Sequence, residues 1–277
     1  MITLLSCGAL ATVQDLGRPG HAALGVPRAG AFDRAALALA NRLVGNPAGA
    51  AGLELTLGAS LRLDAAATVA LTGAPCPGLD WGVALSLAGG TTLALGVPPT
   101  GLRSYLAVRG GVEAAAVLGS RSTDTLSGLG PVPLTAGDSL AVGPEPHTPP
   151  SGAAAVPAPA GSALRVRLGP REDWFTPRAR QLLLDATWTV RPDSNRIGLR
   201  LDGPVLARAI GGELPSEPTL PGALQVPPDG RPILFGPDAP VTGGYPVIAV
   251  VHDEDLDRAA QLRPGDVLQF VSGRTTW

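Results

Sequence analysis

Glycine, proline or aspartate bounds every alternating apolar stretch of this chain, so no strand or helix in it can run long. Residues 2–6, 52–56, 60–63, 68–72, 91–95, 103–108, 163–168, 187–190, 198–201, 233–235 and 247–251 each read as a short β-strand between such breakers. That spacing favours barrels or sandwiches over a wound parallel sheet. Helices are few. Asp33 is placed to cap one reaching about Val44, with Leu37, Ala40, Leu43 and Val44 on one face and Gly45-Asn46-Pro47 ending it. Thr176 followed by Pro177 is a cap and first-turn pair for a second, to about Asp185. A third helix, over 113–118, is short.

A mainly β fold is therefore expected. The Pro- and Ala-rich run 146–161 reads as a linker between an N-terminal module, 1–145, and a C-terminal module, 162–277. The pattern L-x-x-G-D-x-L stands at 134–140 and again at 262–268, so Gly137-Asp138 and Gly265-Asp266 each mark a turn into an alternating strand. Both halves are expected to end in the same structural unit. Asp15, Gly17 and Arg18 are echoed more weakly by Asp193, Arg196 and Gly198.

With 45% hydrophobic content over 277 residues, each module has enough apolar side chain for a core. The net charge of −2 gives no long-range pull on nucleic acid or anionic lipid, so neither is an expected partner. All 21 basic residues are arginine. A chain without lysine has no phosphate-loop lysine, no Schiff base and no residue to carry biotin. Cys7 and Cys76 do not make a disulfide framework, and His21, His147 and His252 are scattered, so no structural metal is expected. The start MITLLSC imitates a lipoprotein box but has no basic residue before it. No apolar run reaches the roughly 18 residues of a membrane helix, and the chain reads as cytoplasmic.

Two stretches, 12–33 and 217–246, mix fixed turns with Gln, Asp, Arg and Thr and read as neither helix nor alternating strand. Loops of that kind hold polar small molecules. In the first, Gln14, Asp15 and Arg18 can recognise an amide or a carboxylate, or Asp15 and Arg18 can pair with each other to fix the loop. In the run 104–123, a Gly-Gly turn leads to Ser120, Arg121, Ser122 and Thr123, which suit an anion-binding nest or a capping cluster. Around 193–203, Asn195, Arg196 and Arg200 surround a turn into a strand, with Arg196 and Arg200 on one face by alternation. Two guanidiniums on one face need an anion, either a ligand or an internal counter-ion from Glu217 or Asp238. Finally Glu217, Gln225, Asp238, Thr242 and Tyr245 gather beside Gly243-Gly244, where a ligand or another loop can approach the main chain.

The motifs TVQDLGRPG, GVPRAGAFD, ANRLVGNP, SYLAVRGG, LGSRST, DSNRIGLRLDG, the run from ELPSEPTLPG to RPILF, and DAPVTGGYP stand in this order along nearly the whole chain. Together they closely resemble the biotin-dependent carboxyltransferase-like family, which takes in the C-type subunit of 5-oxoprolinase, allophanate hydrolase subunit 2, KipA and a subdomain of urea carboxylase. The resemblance implies two cyclophilin-like β-barrel modules in tandem. It implies work in a complex with a KipI-like B-type subunit and a 5-oxoprolinase A-type subunit, on a small lactam or amide such as 5-oxoproline. ATP is then the expected cosubstrate, bound at a site shared with or lying on the partner. In that reading Arg196, Gln225 and Asp238 are the catalytic candidates. Gln14, Asp15, Arg18, Arg121, Asn195, Arg200, Glu217, Thr242, Gly243, Gly244 and Tyr245 are the substrate-binding candidates. A KipA-like regulator, or a carboxyltransferase component acting on urea or a related amide, are the alternatives the same resemblance leaves open.

Overall fold

The computed structural model describes residues 1–155 and 161–273. It is mainly β, and the chain divides into two compact units: Met1–Pro19 with Ala29–Pro159, and Gly20–Arg28 with Ala160–Trp277.

The first unit is built from β1 (Ile2–Ser6), β2 (Leu10–Gln14), α1 (Arg34–Leu43), β3 (Gly52–Thr56), β4 (Ala59–Leu63), β5 (Ala67–Gly73), β6 (Ala84–Leu87), β7 (Thr92–Leu95), β8 (Arg103–Val108), β9 (Val112–Glu113) and β10 (Ser139–Val142). These form two five-stranded sheets, β7-β4-β1-β10-β9 and β2-β3-β8-β5-β6. One core joins them: Ile2, Leu4, Leu61 and Leu63 from the first sheet and Val13, Leu53, Leu55, Val69, Leu71, Leu106 and Val108 from the second. The other face of β8 is buried too, because Ala107 packs with Ala40 and Leu43 of α1, and Tyr105 with Leu37. Alternation thus gives β8 two apolar faces and a run with no exposed residue.

Asp33 caps α1 as expected, its Oδ1 accepting from the Ala36 N–H at 2.8 Å. Asp33→Ala is expected to lower stability by about 1 kcal/mol in chemical unfolding. An unchanged midpoint would mean that the apolar face alone fixes the helix start.

Three expectations fail in this unit. Residues 10–14, partly read as loop, form β2, paired with β3 from Leu10↔Thr56 to Gln14↔Gly52. No helix forms over 113–118, since Glu113 pairs with Ala141 in the sheet. The first part of the 146–161 run is not a free linker. The Arg109 guanidinium donates to the carbonyls of Pro146 and Thr148, Ser151 N–H to Leu43 O, and Ala84 N–H to Gly152 O. Positions 156–160 of that run lie outside the described residues.

The second unit holds β11 (Ala163–Leu168), α2 (Pro177–Asp185), β12 (Thr187–Val190), β13 (Gly198–Asp202), β14 (Glu217–Pro218), β15 (Ala223–Gln225), β16 (Ile233–Phe235), β17 (Thr242–Gly243), β18 (Val247–Val251), α3 (Leu256–Ala259) and β19 (Val267–Ser272). Seven strands close into a barrel in the order β11-β18-β15-β16-β13-β12-β19. Trp188 and Phe270, both fully buried, meet in it at 6.4 Å between ring centroids. Strands β14, β15 and β17 lie within the 217–246 stretch that was expected to be irregular. The two Gly-Asp turns are alike: Asp138 Oδ2 accepts from Thr135 N–H at 2.7 Å and Asp266 Oδ2 from Arg263 N–H at 2.8 Å. Each turn leads into the strand that ends its half, β10 or β19.

Asp255 ties α3 to β11. Burial alone pushes its carboxyl up, but side-chain and backbone donors from Arg165, and then Arg258, outweigh that and hold it down at about 2. A folded pKa below the ordinary value of 3.8 contributes stability that is present above that value and lost as pH falls toward 2. Asp255→Asn should therefore cost about 2 kcal/mol at neutral pH and flatten the stability profile between roughly pH 5 and 2. An unaltered acid limb in urea titrations across that range would refute this assignment.

Candidate functional site

In the first unit, β2 delivers Gln14 and Asp15 to the start of a tight loop. Ala11 and Val13 of this strand face the core, so Thr12 and Gln14 point the other way, yet both are fully buried. Their polar groups must therefore meet protein or ligand.

Asp15 meets protein. Its Oδ1 accepts from Gly17 N–H at 2.7 Å, Ser120 Oγ at 2.6 Å and Ser122 Oγ at 2.5 Å, and its Oδ2 accepts from Arg121 N–H at 2.7 Å. The 120–122 segment holds an anion through two serine hydroxyls and a single peptide N–H, and that anion is the chain's own Asp15. Asp15 thus clamps two loops together. Arg121 supplies its peptide N–H and turns its side chain to the surface.

Arg18 does not pair with Asp15. Its side chain is 1% exposed, Nε donating to Val117 O at 3.3 Å and Nη2 to Ser122 O at 2.5 Å. No carboxylate among the described residues forms an ion pair with it, and Nη1 is buried without a partner. Gly130 makes room for this arrangement: it has φ +80°, and a Cβ there would lie 2.1 Å from Ser122 O and 3.1 Å from Arg18 Nη2. Gln14 donates through Nε2 to Thr12 Oγ1 and to Thr123 O, both at 3.1 Å, leaving Oε1 buried and unpaired. Thr123 Oγ1 is a third buried atom without a partner.

Behind this group lies a network that sequence reasoning missed. Three consecutive N–H groups anchor the segment entering α1: Ala31 donates to Asp15 O at 2.9 Å, Phe32 to Glu54 Oε2 at 3.0 Å and Asp33 to Tyr105 Oη at 2.8 Å. Tyr105 Oη donates in turn to Glu54 Oε2 at 2.7 Å. Burial, then the charges of Glu54 and Asp33, push the Tyr105 hydroxyl well above its ordinary range, so it stays a donor. Arg103 Nε lies 3.6 Å from Glu54 Oε1, and its guanidinium sits 4.7 Å above the Phe32 ring. The available signal was a Glu at the centre of a strand flanked on both sides, directly opposite Tyr105 in register.

In the second unit, two of the three catalytic candidates neutralise each other. Arg196 and Asp238 are 1% and 0% exposed and form a two-pronged pair, Nε to Oδ2 at 2.9 Å and Nη2 to Oδ1 at 2.8 Å. Asp238 is thus an internal counter-ion of Arg196. Arg200 does not share its face: β13 begins only at Gly198, and Arg200 is exposed, 3.5 Å from Asp193. Asn195 uses its Oδ1 to accept from Ile197 and Gly198 N–H, a turn-forming role.

The remaining candidates do come together. Glu217 pairs with Gly243 and Pro218 with Thr242 in the β14–β17 ribbon. Gln225 Nε2 donates to Tyr245 O at 3.0 Å, and a Cβ on Gly243 would lie 2.5 Å from that nitrogen, so a side chain there would displace the Gln225 carboxamide. Gly244 and Tyr245 are exposed. Glu217 is held by a guanidinium the sequence did not single out, Arg171, whose Nε lies 2.9 Å from both carboxylate oxygens. That hydrogen bonding holds the Glu217 carboxyl below its usual range despite partial desolvation.

The profile for the carboxyltransferase domain, subdomains A and B, matches residues 24–272, and the chain belongs to that family. It is 38% identical to the 5-oxoprolinase C-type subunit of Escherichia coli, over 98% of this chain and 91% of that protein. The Haemophilus influenzae protein of the same name is 33% identical over 98% of this chain. The crystal structure of the K. lactis urea amidolyase superposes with a TM-score of 0.91 at 29% identity over 98% of this chain, which spans 18% of that much longer polypeptide. No helix among the described residues is long and apolar enough to cross a membrane.

Proposed function

We propose that this chain is the C-type subunit of an ATP-dependent 5-oxoprolinase, active in a complex with a KipI-like B-type subunit and a 5-oxoprolinase A-type subunit. The observation that carries this reading is the 38% identity to the Escherichia coli C-type protein across nearly all of both chains. The urea amidolyase of Lachancea kluyveri is 34% identical, but the match spans only 16% of that protein. The geometry of the first unit supports a polar ligand. A buried guanidinium without a carboxylate partner is costly unless a bound group completes it, and Arg18 is such a group. An amide is a poor electrophile, and transfer of phosphate to its oxygen makes that oxygen a leaving group, with fixed donors stabilising the charge that develops.

ATP itself does not fit a conventional site on this chain. The sequence contains no lysine and no phosphate loop, so the nucleotide is assigned to the partner or to a surface shared with it. For the same reason any biotin in a carboxyltransferase reaction would be carried by a lysine outside these 277 residues.

The test is reconstitution. The chain mixed with its B-type and A-type partners, 5-oxoproline and ATP should release glutamate, and omission of this chain should stop it. Release of glutamate by the other two proteins alone would sink the proposal. Silence with 5-oxoproline, combined with transfer from a biotinylated carrier to urea, would favour the carboxyltransferase reading supported by the urea amidolyase superposition. Capture of the B-type partner without turnover of any lactam or amide would favour a KipA-like regulator.

A further inference from the structure

We propose that the loop joining β9 to β10 is the docking surface for the B-type subunit, with Leu118 and Arg121 as its anchors. The leucine enters an apolar recess of the partner, and the guanidinium meets a carboxylate at the rim of that recess. The inference rests on the complex proposed above and says where on this chain the partner sits. Residues 114–138 contain no helix and no strand of a sheet. That is well past the roughly 12–15 residues beyond which such loops are uncommon and mostly functional. Between Ala114 and Gly137 only Arg121 and Asp124 carry charge, and Asp124 is buried. Leu118, Leu126 and Val132 are 44%, 45% and 74% exposed. A surface with three open apolar side chains and one open cation has the composition of an interface centre, where charge is scarce and arginine is enriched.

Leu118 stands at the tip of a two-residue turn. Val117 and Ser120 exchange N–H to carbonyl bonds at 2.8 and 3.2 Å, and the residues between them, Leu118 and Gly119, have φ +52° and +80°. A turn with both central residues left-handed favours Asn-Gly, and a bulky residue at its first position is strained. Burial within the chain would offset that strain, yet this side chain lies in solvent, so the offset comes from outside the chain. The tip is fixed from behind. Arg18 Nε donates to Val117 O at 3.3 Å, and Asp15 accepts from Ser120 Oγ at 2.6 Å and from Arg121 N–H at 2.7 Å. Asp124 shapes the next bend, its Oδ1 accepting from Leu126 N–H at 2.9 Å and Ser127 N–H at 3.1 Å. Thr123 N–H and Leu134 N–H donate to Val13 O and Ala11 O, which binds the loop to the outer edge of β2. A surface held in shape before its partner arrives loses little entropy on binding. Arg121 uses only its peptide N–H within the chain, and no carboxylate among the described residues pairs with its side chain. The complementary charge is therefore an acid on the partner.

Calorimetric titration of the full chain with the purified B-type subunit, beside urea unfolding of the chain alone, tests it. Leu118→Asn should raise the urea midpoint, because Asn-Gly suits the turn, and weaken binding at least about tenfold, because the anchor is gone. Arg121→Glu should weaken binding by a similar factor at low salt, with the deficit narrowing as salt is raised. Val97→Asn, at an exposed apolar residue outside the loop, should leave the affinity unchanged. A Leu118→Asn chain less stable than the parent would make the leucine a structural residue, and unaltered affinity in both Leu118→Asn and Arg121→Glu would place the partner elsewhere. Either result overturns the docking surface and leaves the complex standing. Weakened binding by these variants, in a parent complex that releases no glutamate from 5-oxoproline, would retain the surface and reject the 5-oxoprolinase reading. Failure of the parent chain to bind the B-type subunit rejects both, and self-association lost in Leu118→Asn would then assign the loop to a second copy of this chain.

Discussion

Asp238→Ala is expected to remove about 3–5 kcal/mol of folding stability, because it takes the two-pronged partner away from the buried Arg196 guanidinium in the second unit. Both partners are essentially inaccessible to water and held by two parallel hydrogen bonds, so solvent offers little compensation. Arg196→Ala should be comparably damaging, whereas replacing both by apolar residues of similar volume should recover most of the loss. Urea unfolding of the two single variants and the double variant closes the cycle. A loss below about 1 kcal/mol in either single variant would show the pair to be relaxed by water, and a ligand role for Arg196 would then return to consideration.

Arg18→Met is expected to behave in the opposite way. Here the cation has no carboxylate partner to strand, so removing it relieves a desolvation cost that offsets the two hydrogen bonds lost to Val117 O and Ser122 O. Stability should stay within about 1 kcal/mol of the parent, while glutamate release by the reconstituted complex should fall roughly 100-fold, the scale seen when one fixed donor to a reacting group is lost. Full activity in a weakened protein would make Arg18 a structural residue. The contrast between two arginines of equal burial is what separates a ligand-facing cation from one serving the fold.

Much of the fold was legible because its strands alternate between breakers. β1, β3, β8, β11, β12, β16 and β18 fall where the pattern places them, and Asp33 and Thr176 cap their helices. β2 was obscured because its second face is polar, with Thr12 and Gln14 turned toward the candidate site instead of water. Gathering of Gln225 with Gly243 and Tyr245 was readable from the density of Gly and Pro around them. Which charge meets which was not. Asp15 and Arg18 are three positions apart yet do not pair with each other, and Arg196 finds Asp238 across 42 residues of chain. Strand alternation wrongly joined Arg196 to Arg200 because the strand starts two residues after Arg196. Pairings of that kind depend on loop paths that local pattern does not encode.

In the barrel, β19 is inserted between β11 and β12, parallel to the first and antiparallel to the second. The earliest strand of that unit therefore waits for the latest one. During synthesis on the ribosome, six strands carrying much of the barrel interior must remain an open, curved sheet until residues 267–272 have emerged, and the seam shuts in a single late event.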